Sequence, residues 1–384
     1  MTPGQHDAAM IHLRWGQRWV ILDWKSGSLQ QRPAASRTPI RLSLFGKHRP
    51  AIAANPFHSQ ILPDCSATAP NASRAAGARY TGYMDLPVRL VAIDVDGTLV
   101  PAIGQALTAR VARALKTAEQ AGIIVAIATG RRPAYTAPLL EGLGLRADTP
   151  LIASNGAVIR TLGGEAIDRS HLESRIARGL CGLLRPFGSL VFTFDRPGRG
   201  ELVLEDLEQA QGRVALWVEA NRNAIEVVKP LEDALIDGDD PIQGMAAGGV
   251  SRMRAAEEAL KASPWSPCCE CARTEYPARD LSILDLLPPG VSKGWALERL
   301  AARLGVRRME TMAIGDNWND VGMLEWAGQG VIMGNAAAEL KTMAKMRGWK
   351  LAPPNNEDGV AVVLEAAIAK RAAAGGSGLV GQGW

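Results

Sequence analysis

The stretch Val91-Ala92-Ile93-Asp94-Val95-Asp96-Gly97-Thr98-Leu99-Val100 decides the fold of this chain. The continuous apolar run from Leu90 to Ile93 predicts a strand that is covered on both faces in a parallel sheet. Two acids then follow, one residue apart, at the strand end where open α/β sheets bind ligands. Two close carboxylates repel each other unless a cation lies beside them, and their hard oxygen atoms suit Mg²⁺. Taken alone, the stretch is also compatible with a strand followed by an acidic surface turn.

The composition is that of a globular protein with a sizeable core. The chain has 384 residues, of which 47% are apolar and 21% charged, which suffices for two domains. Its net charge is +4, and the positive excess lies in residues 1–83, which contain ten Lys/Arg and three Asp/Glu. We therefore predict no nucleic-acid surface on the folded part. No apolar run approaches the ~20 residues that cross a bilayer, so we predict no membrane partner.

Residues 1–83 show no persistent helical or strand period. From Gln30 to Arg79 they are rich in Pro, Ser, Ala and Arg, which is typical of a disordered extension, and Met84 is an alternative natural start. The beginning of the chain does not resemble a secretory signal, and five cysteines without disulfide spacing fit a cytoplasmic protein. The run Cys268-Cys269-Glu270-Cys271 lacks the fourth ligand that a zinc site requires.

From Val88 onward, strands and helices alternate. The predicted strands are 88–95, 123–128, 150–153, 309–314 and 330–333, and the predicted helices are 106–121, 133–143, 294–304, 321–327 and 359–372. This alternation predicts βαβ units, and hence an α/β fold with a doubly wound, Rossmann-like parallel sheet. We assign this core to residues 84–163 and 287–372, and expect a flexible Gly-rich tail at 373–384.

The pattern changes between residues 164 and 286. Helical spacing at 171–184 and 250–262 accompanies apolar alternation at 189–194 and 201–204, which is typical of half-buried antiparallel strands. We therefore predict an α+β domain, inserted into the core over residues 164–286.

Polar side chains follow the predicted core strands or precede a core helix. These residues are Asp94, Asp96, Thr129, Lys293, Asp316 and Asp320. Because parallel strands end at the same edge of a sheet, we expect these groups to converge. Carboxylates for a divalent cation, a hydroxyl, a lysine and the backbone amides near Gly97 and Gly130 are the groups that bind a phosphoryl group.

Four segments, in this order, resemble the motifs of the haloacid dehalogenase (HAD) superfamily. They are Asp94-Val95-Asp96-Gly97-Thr98, Ala128-Thr129-Gly130-Arg131, Lys293-Gly294 and Gly315-Asp316-Asn317-Trp318-Asn319-Asp320. Ser154-Asn155-Gly156, and an insert between the second and third motifs, resemble the Cof-type branch with its large α/β cap. The resemblance extends over about residues 86–370.

The resemblance implies a Mg²⁺-dependent phosphatase that acts on a small phosphorylated metabolite such as a sugar phosphate. Asp94 would attack phosphorus to form an aspartyl-phosphate, and Asp96 would protonate the leaving alcohol and then activate water. The metal would be held by Asp94, Asp316 and the Asp96 carbonyl, with Asp320 in support. The phosphoryl oxygens would contact Thr129, Gly130, Lys293 and Asn319.

Other interpretations stay open at this point. The same site would serve a phosphomutase or phosphotransferase, or a non-enzymatic phosphometabolite-binding or receiver-like module. Taken singly, Thr129 and Asp320 fit helix caps, Lys293 fits a solvated lysine, and Asn155-Gly156 fits a tight turn. In the insert, the candidate contacts to a second anionic group are Arg196, Arg199 and Arg213, for which a solvated surface position is the alternative. The oligomeric state is not predicted.

Overall fold

The structure, a computed structural model, describes residues 10–15, 18–23, 29–30, 86–100, 107–141, 143–196 and 198–376. Side chains are described from residue 86 onward, except those of 208–213, 216, 375 and 376. The chain forms two compact units, residues 1–60 and 61–384. Among the described helices, none is both long and apolar enough to cross a membrane.

The first unit contains a small antiparallel sheet. Its strands are β1 (Met10–Trp15), β2 (Arg18–Asp23) and β3 (Leu29–Gln30), and Met10 pairs with Asp23. We predicted no strand in this part of the chain, so that prediction is wrong for these three segments. The other residues of the predicted extension, residues 1–83, lie outside the described residues.

The second unit contains two sheets. Its strands are β4 (Leu90–Asp94), β5 (Ile124–Ala128), β6 (Pro150–Ala153), β7 (Val158–Thr161), β8 (Ala166–Arg169), β9 (Ser189–Thr193), β10 (Leu202–Leu204), β11 (Ile225–Val227), β12 (Gln243–Gly248), β13 (Glu270–Tyr276), β14 (Leu281–Leu287), β15 (Thr311–Gly315), β16 (Gln329–Ile332) and β17 (Lys350–Leu351). Its helices are α1 (Ala109–Gln120), α2 (Pro133–Leu140), α3 (Ser174–Leu184), α4 (Leu207–Asn221), α5 (Val250–Lys261), α6 (Lys293–Arg303), α7 (Val321–Trp326), α8 (Ala338–Arg347) and α9 (Gly359–Gly376).

The core sheet has eight strands, in the order β17-β16-β15-β4-β5-β6-β7-β8. The first six run parallel, and β7 and β8 are antiparallel additions. Strand β4 lies at the centre, and its side chains alternate between two apolar clusters: Val91 and Ile93 pack with α1 and α9, whereas Leu90 and Ala92 pack with α6, α7 and α8. Helices therefore cover both faces, and the predicted α/β fold with a doubly wound parallel sheet is confirmed.

The antiparallel hairpin β7–β8 was not predicted. Gly164, with a positive φ of 99°, lies in the turn between the two strands. Since β8 belongs to the core sheet, the core continues to Arg169, beyond the predicted boundary at residue 164.

The inserted domain, here called the cap, comprises the elements from α3 to β14. Its six-stranded sheet has the order β11-β10-β9-β12-β14-β13 and is antiparallel except for the pair β10–β11. Helices α3 and α5 cover one face through residues such as Leu180 and Met253. On the other face, Trp217 of α4 packs with Leu202 and Met245. Helix α4 was not predicted, and neither was α8, which buries only Leu340 and Ala344.

Candidate active site

Three acids from separate parts of the core lie together at the carboxyl ends of adjacent strands. Asp94 ends β4, and Asp316 directly follows β15, which pairs with β4 in parallel. Oxygen atoms of Asp94, Asp316 and Asp320 all lie within 4.8 Å of one another. Ligands of one ion can be this close, so these positions meet as the sequence predicted. The carboxylate of Asp96 is not part of this cluster.

Lys293 lies between two of these acids and is fully buried. Its Nζ donates to Asp94 Oδ1 at 2.6 Å and to Asp320 Oδ1 at 2.7 Å. Ser292 caps α6, because its side chain accepts a hydrogen bond from the Trp295 amide, and this places Lys293 in the first turn of the helix. The alternative of a solvated lysine is therefore wrong.

The loop after β15 is held by Asp320. Its Oδ2 accepts hydrogen bonds from the amides of Asp316 and Asn317, both at 3.0 Å. It makes no side-chain cap for α7, so the helix-cap alternative is wrong. Thr98 donates to Asp316 Oδ1 at 3.1 Å, and a Cβ on Gly97 would lie 2.2 Å from Asp316 Oδ2. Only glycine fits at residue 97, where φ is also +85°.

Burial and mutual repulsion shape the charges of the cluster. Burial, together with the charges of Asp320 and Asp96, raises the pKa of Asp94 to about 7 despite its bond to Lys293. Burial and the charge of Asp94 raise the pKa of Asp316 well above its usual range. Burial lowers the pKa of Lys293, but the charges of Asp320 and Asp94 outweigh this, and its pKa is raised. One lysine therefore does not neutralise three acids, and the set of hard oxygen donors fits a small divalent cation.

Asp96 points to a different partner, Arg131. Arg131 donates to both carboxylate oxygens of Asp96. Its Nε donates to Oδ2 at 2.7 Å, and its Nη2 donates to Oδ1. Arg131 also stacks over the ring of Tyr135, 4.8 Å from its centroid. This bidentate contact fixes the orientation of the Asp96 carboxylate. We had not assigned Arg131, although it follows the predicted Thr129-Gly130 pair directly.

Thr129 and Gly130 lie where β5 ends. Thr129 is fully buried, and its hydroxyl accepts from the Arg131 amide at 3.1 Å. The N-cap of α2 is Arg132, so the helix-cap alternative for Thr129 is wrong. Gly130 lines the cavity described below, and a Cβ there would lie 3.0 Å from Asn155 Nδ2.

A buried chain of amides and one carboxylate connects this edge to the cap. Asn319 Nδ2 donates to Asn155 Oδ1 at 3.0 Å, and Asn155 Nδ2 donates to Asp285 Oδ2 at 2.7 Å. Gln243 of β12 donates to the other oxygen of Asp285. Burial raises the pKa of Asp285 to about 7, and the hydrogen bonds from Gln243 and Asn155 offset this only in part. Asn155 has a positive φ of 51°, so it occupies a turn and also makes these bonds.

A cavity of about 390 Å³ lies between the core edge and the cap sheet. Asp94, Asp96, Gly130 and Asn319 line its core side. Among the described residues, the arginines that line it are Arg131, Arg132 and Arg279, none of which we predicted to contact substrate. Of our three candidates, Arg196 instead pairs with Asp239, Arg199 does not line the cavity, and the side chain of Arg213 lies outside the described residues.

The sequence pattern of haloacid dehalogenase-like hydrolases matches residues 91–364. The chain belongs to this family. Phosphatase YwpJ of Bacillus subtilis is 30% identical over 304 residues, covering 72% of this chain and 99% of its own length. The 5-amino-6-(5-phospho-D-ribitylamino)uracil phosphatase YwtE of B. subtilis is 28% identical, covering 72% and 97%.

A solved HAD structure has a similar fold over most of its length. A HAD subclass IIB sugar phosphatase, BT4131, matches with a TM-score of 0.59 and 25% identity, covering 73% of this chain and 98% of that one. The predicted membership among Cof-type HAD phosphatases is confirmed, and the chain is a phosphoric monoester hydrolase of the HAD type.

Proposed function

We propose that this HAD phosphatase is Mg²⁺-dependent and hydrolyses a small phosphorylated metabolite through a phosphoryl group carried by Asp94. The observation that supports this most strongly is the position of Asp94. It lies in contact with Lys293, within 4.8 Å of Asp316, and on the wall of the cavity between core and cap. A nucleophile, a buried cation and a site for a metal thus share one small volume.

Asp94 and Asp316 are the residues proposed to hold Mg²⁺, together with the backbone carbonyl of Asp96. Both oxygens of Asp320 already accept hydrogen bonds, so we assign it the positioning of Lys293 and of the Asp316 loop. When bound, Mg²⁺ supplies positive charge against the developing negative charge of the phosphoryl oxygens.

The proposed reaction has two displacements at phosphorus. First, Asp94 forms a bond to phosphorus, the ester P–O bond breaks, and Asp96 gives a proton to the leaving oxygen. Asp96 then takes a proton from water, whose oxygen attacks phosphorus and breaks the bond to Asp94. The contact with Arg131 orients the Asp96 carboxyl group for both proton transfers. Lys293, Thr129, Gly130 and Asn319 are proposed to bind the phosphoryl oxygens.

The proposed substrate is a small phosphate monoester. A cavity of about 390 Å³ between core and cap supports a small molecule rather than a macromolecule. The resemblance of the motifs favours a sugar phosphate, whereas the relative YwtE is named for a uracil that carries a phosphorylated ribityl chain. A phosphomutase with the same site is the second candidate, and transfer to a sugar acceptor instead of release of phosphate would support it.

The test is release of inorganic phosphate from a panel of phosphorylated metabolites. We expect release with Mg²⁺, none after removal of the metal by EDTA, and recovery when Mg²⁺ is returned. The Asp94→Asn variant should be inactive. Asp237→Asn, the same change at an exposed surface acid, should be fully active. Activity that survives Asp94→Asn or EDTA would contradict the proposal.

A further inference from the structure

The cap side of the cavity is mostly apolar and aromatic. Trp217 of α4, Met245 of β12 and Ile283 of β14 line it, all partly buried. Tyr276, at the end of β13, lines the same cavity as Asp94 and Asp96 of the core. A leaving group that projects from the reaction centre into the cap therefore meets apolar side chains.

Four polar side chains of the cavity, those of Arg132, Asn221, Gln243 and Asp285, are engaged in hydrogen bonds. Arg132 donates to Glu201 and to Asn221. Asn221 Nδ2 donates to the Trp217 carbonyl at 2.7 Å, and Gln243 donates to Asp285. A leaving group rich in hydroxyls would lose its water here and gain few hydrogen bonds, which is unfavourable. Thr193, Thr274 and Arg279 also line the cavity, so one or two polar substituents can find a partner there.

We propose that the cap selects phosphate esters whose leaving group carries a planar aromatic or heteroaromatic ring, buried against Trp217, Met245 and Ile283. This inference rests on the proposed phosphatase function and adds the class of substrate. Planar rings bury much apolar area and gain further from stacking on an indole. The cavity volume of about 390 Å³ suits a ring with a short side chain.

The test compares three esters: benzyl phosphate, cyclohexylmethyl phosphate and glucose 6-phosphate. All three leave as primary alcohols, so differences in kcat/KM report the cavity rather than the reactivity of the ester. We expect kcat/KM for benzyl phosphate to exceed that for glucose 6-phosphate at least about tenfold, with cyclohexylmethyl phosphate clearly below benzyl phosphate.

Substitutions of cavity residues test which side chains cause the preference for a ring. Trp217→Leu should lower kcat/KM about tenfold for benzyl phosphate and less than about twofold for glucose 6-phosphate. Trp349→Leu is the matched control, since Trp349 packs in the core and does not line the cavity, and it should change neither value. Should Trp217→Leu fail to fold, Met245→Gln, which is similar in size, should lower the ratio of the two kcat/KM values in the same direction.

The two proposals fail in different ways. Equal or better hydrolysis of glucose 6-phosphate, or an equal loss for both esters in Trp217→Leu, would overturn the ring preference and leave the phosphatase standing. No phosphate from any ester would contradict the phosphatase proposal. Titration calorimetry with benzylphosphonate, which has no ester bond to hydrolyse, then measures binding in the cavity without turnover. Binding tighter than that of methylphosphonate and weakened by Trp217→Leu supports the inference, and equal binding overturns it.

Discussion

Asp285 should make the stability of this protein depend on pH in a definite direction. It is a buried carboxylate whose described hydrogen-bond partners are the neutral amides of Gln243 and Asn155. Burial raises its pKa from the ordinary 3.8 to about 7. The folded state therefore binds this proton more tightly than the unfolded state does. Protonation of Asp285 supports the fold at low pH, and that support is lost as the pH rises from about 4 through about 7.

The size of the effect follows from the same values. One pKa unit corresponds to about 1.4 kcal/mol, so a shift of about three units disfavours folding by about 4 kcal/mol when the group is fully ionised. Between pH 5 and pH 8 the change is about 2–3 kcal/mol. Asp285→Asn removes this titration and keeps the shape. The difference in unfolding free energy, variant minus wild type, should therefore rise by about 2–3 kcal/mol between those pH values.

Urea titrations of both proteins at pH 5, 6, 7 and 8 measure this difference. Taking the difference cancels the titration of Asp94 and Asp316, which is present in both. The exposed Asp237→Asn variant serves as the control and should differ from wild type by less than about 0.5 kcal/mol at each pH. A difference for Asp285→Asn that stays constant, or falls as the pH rises, would refute the assignment of Asp285 as a desolvated acid.

Two further substitutions probe the core. Lys293→Met leaves Asp94 and Asp320 buried without their shared cation, so it should abolish phosphate release and lower the unfolding free energy by about 3–5 kcal/mol, measured by urea titration at pH 7. A Lys293→Met protein as stable as wild type would show that the contacts of Lys293 with Asp94 and Asp320 are not needed for the fold. Arg131→Met frees the Asp96 carboxylate and should lower kcat for phosphate release about 10²-fold, without changing the Mg²⁺ concentration for half-maximal activity. A matching change in that Mg²⁺ concentration would place Arg131 with the metal site instead.

The core and its acids could be predicted because they depend on local sequence. Strands β4, β5 and β15 are short, continuous apolar runs, and residues at their ends meet wherever parallel strands align. That rule brings Asp94 and Asp316 together. It also places Thr129 beside them, because β4 and β5 are paired. Lys293 was found because it begins a helix at the same edge.

Several residues that the sequence did not reveal act across the boundary between core and cap. Asp285 meets Asn155 over a separation of 130 positions, and no local pattern marks such a contact. The hairpin β7–β8 was missed because its exposed second strand has no clear alternation. The cavity wall depends on how α4 packs on the cap sheet. The sequence around Trp217 does not predict this packing.

The central claim is that the side chain of Asp94 carries the phosphoryl group during turnover. The most direct measurement is peptide mass spectrometry of enzyme quenched in acid while it turns over substrate, with Asp96→Asn used to slow the second displacement. We predict a phosphoryl group on the peptide that contains Asp94, and none when Asp94 is changed to Asn. Steady release of phosphate with an unmodified Asp94, or with the phosphoryl group on another residue, would contradict the account.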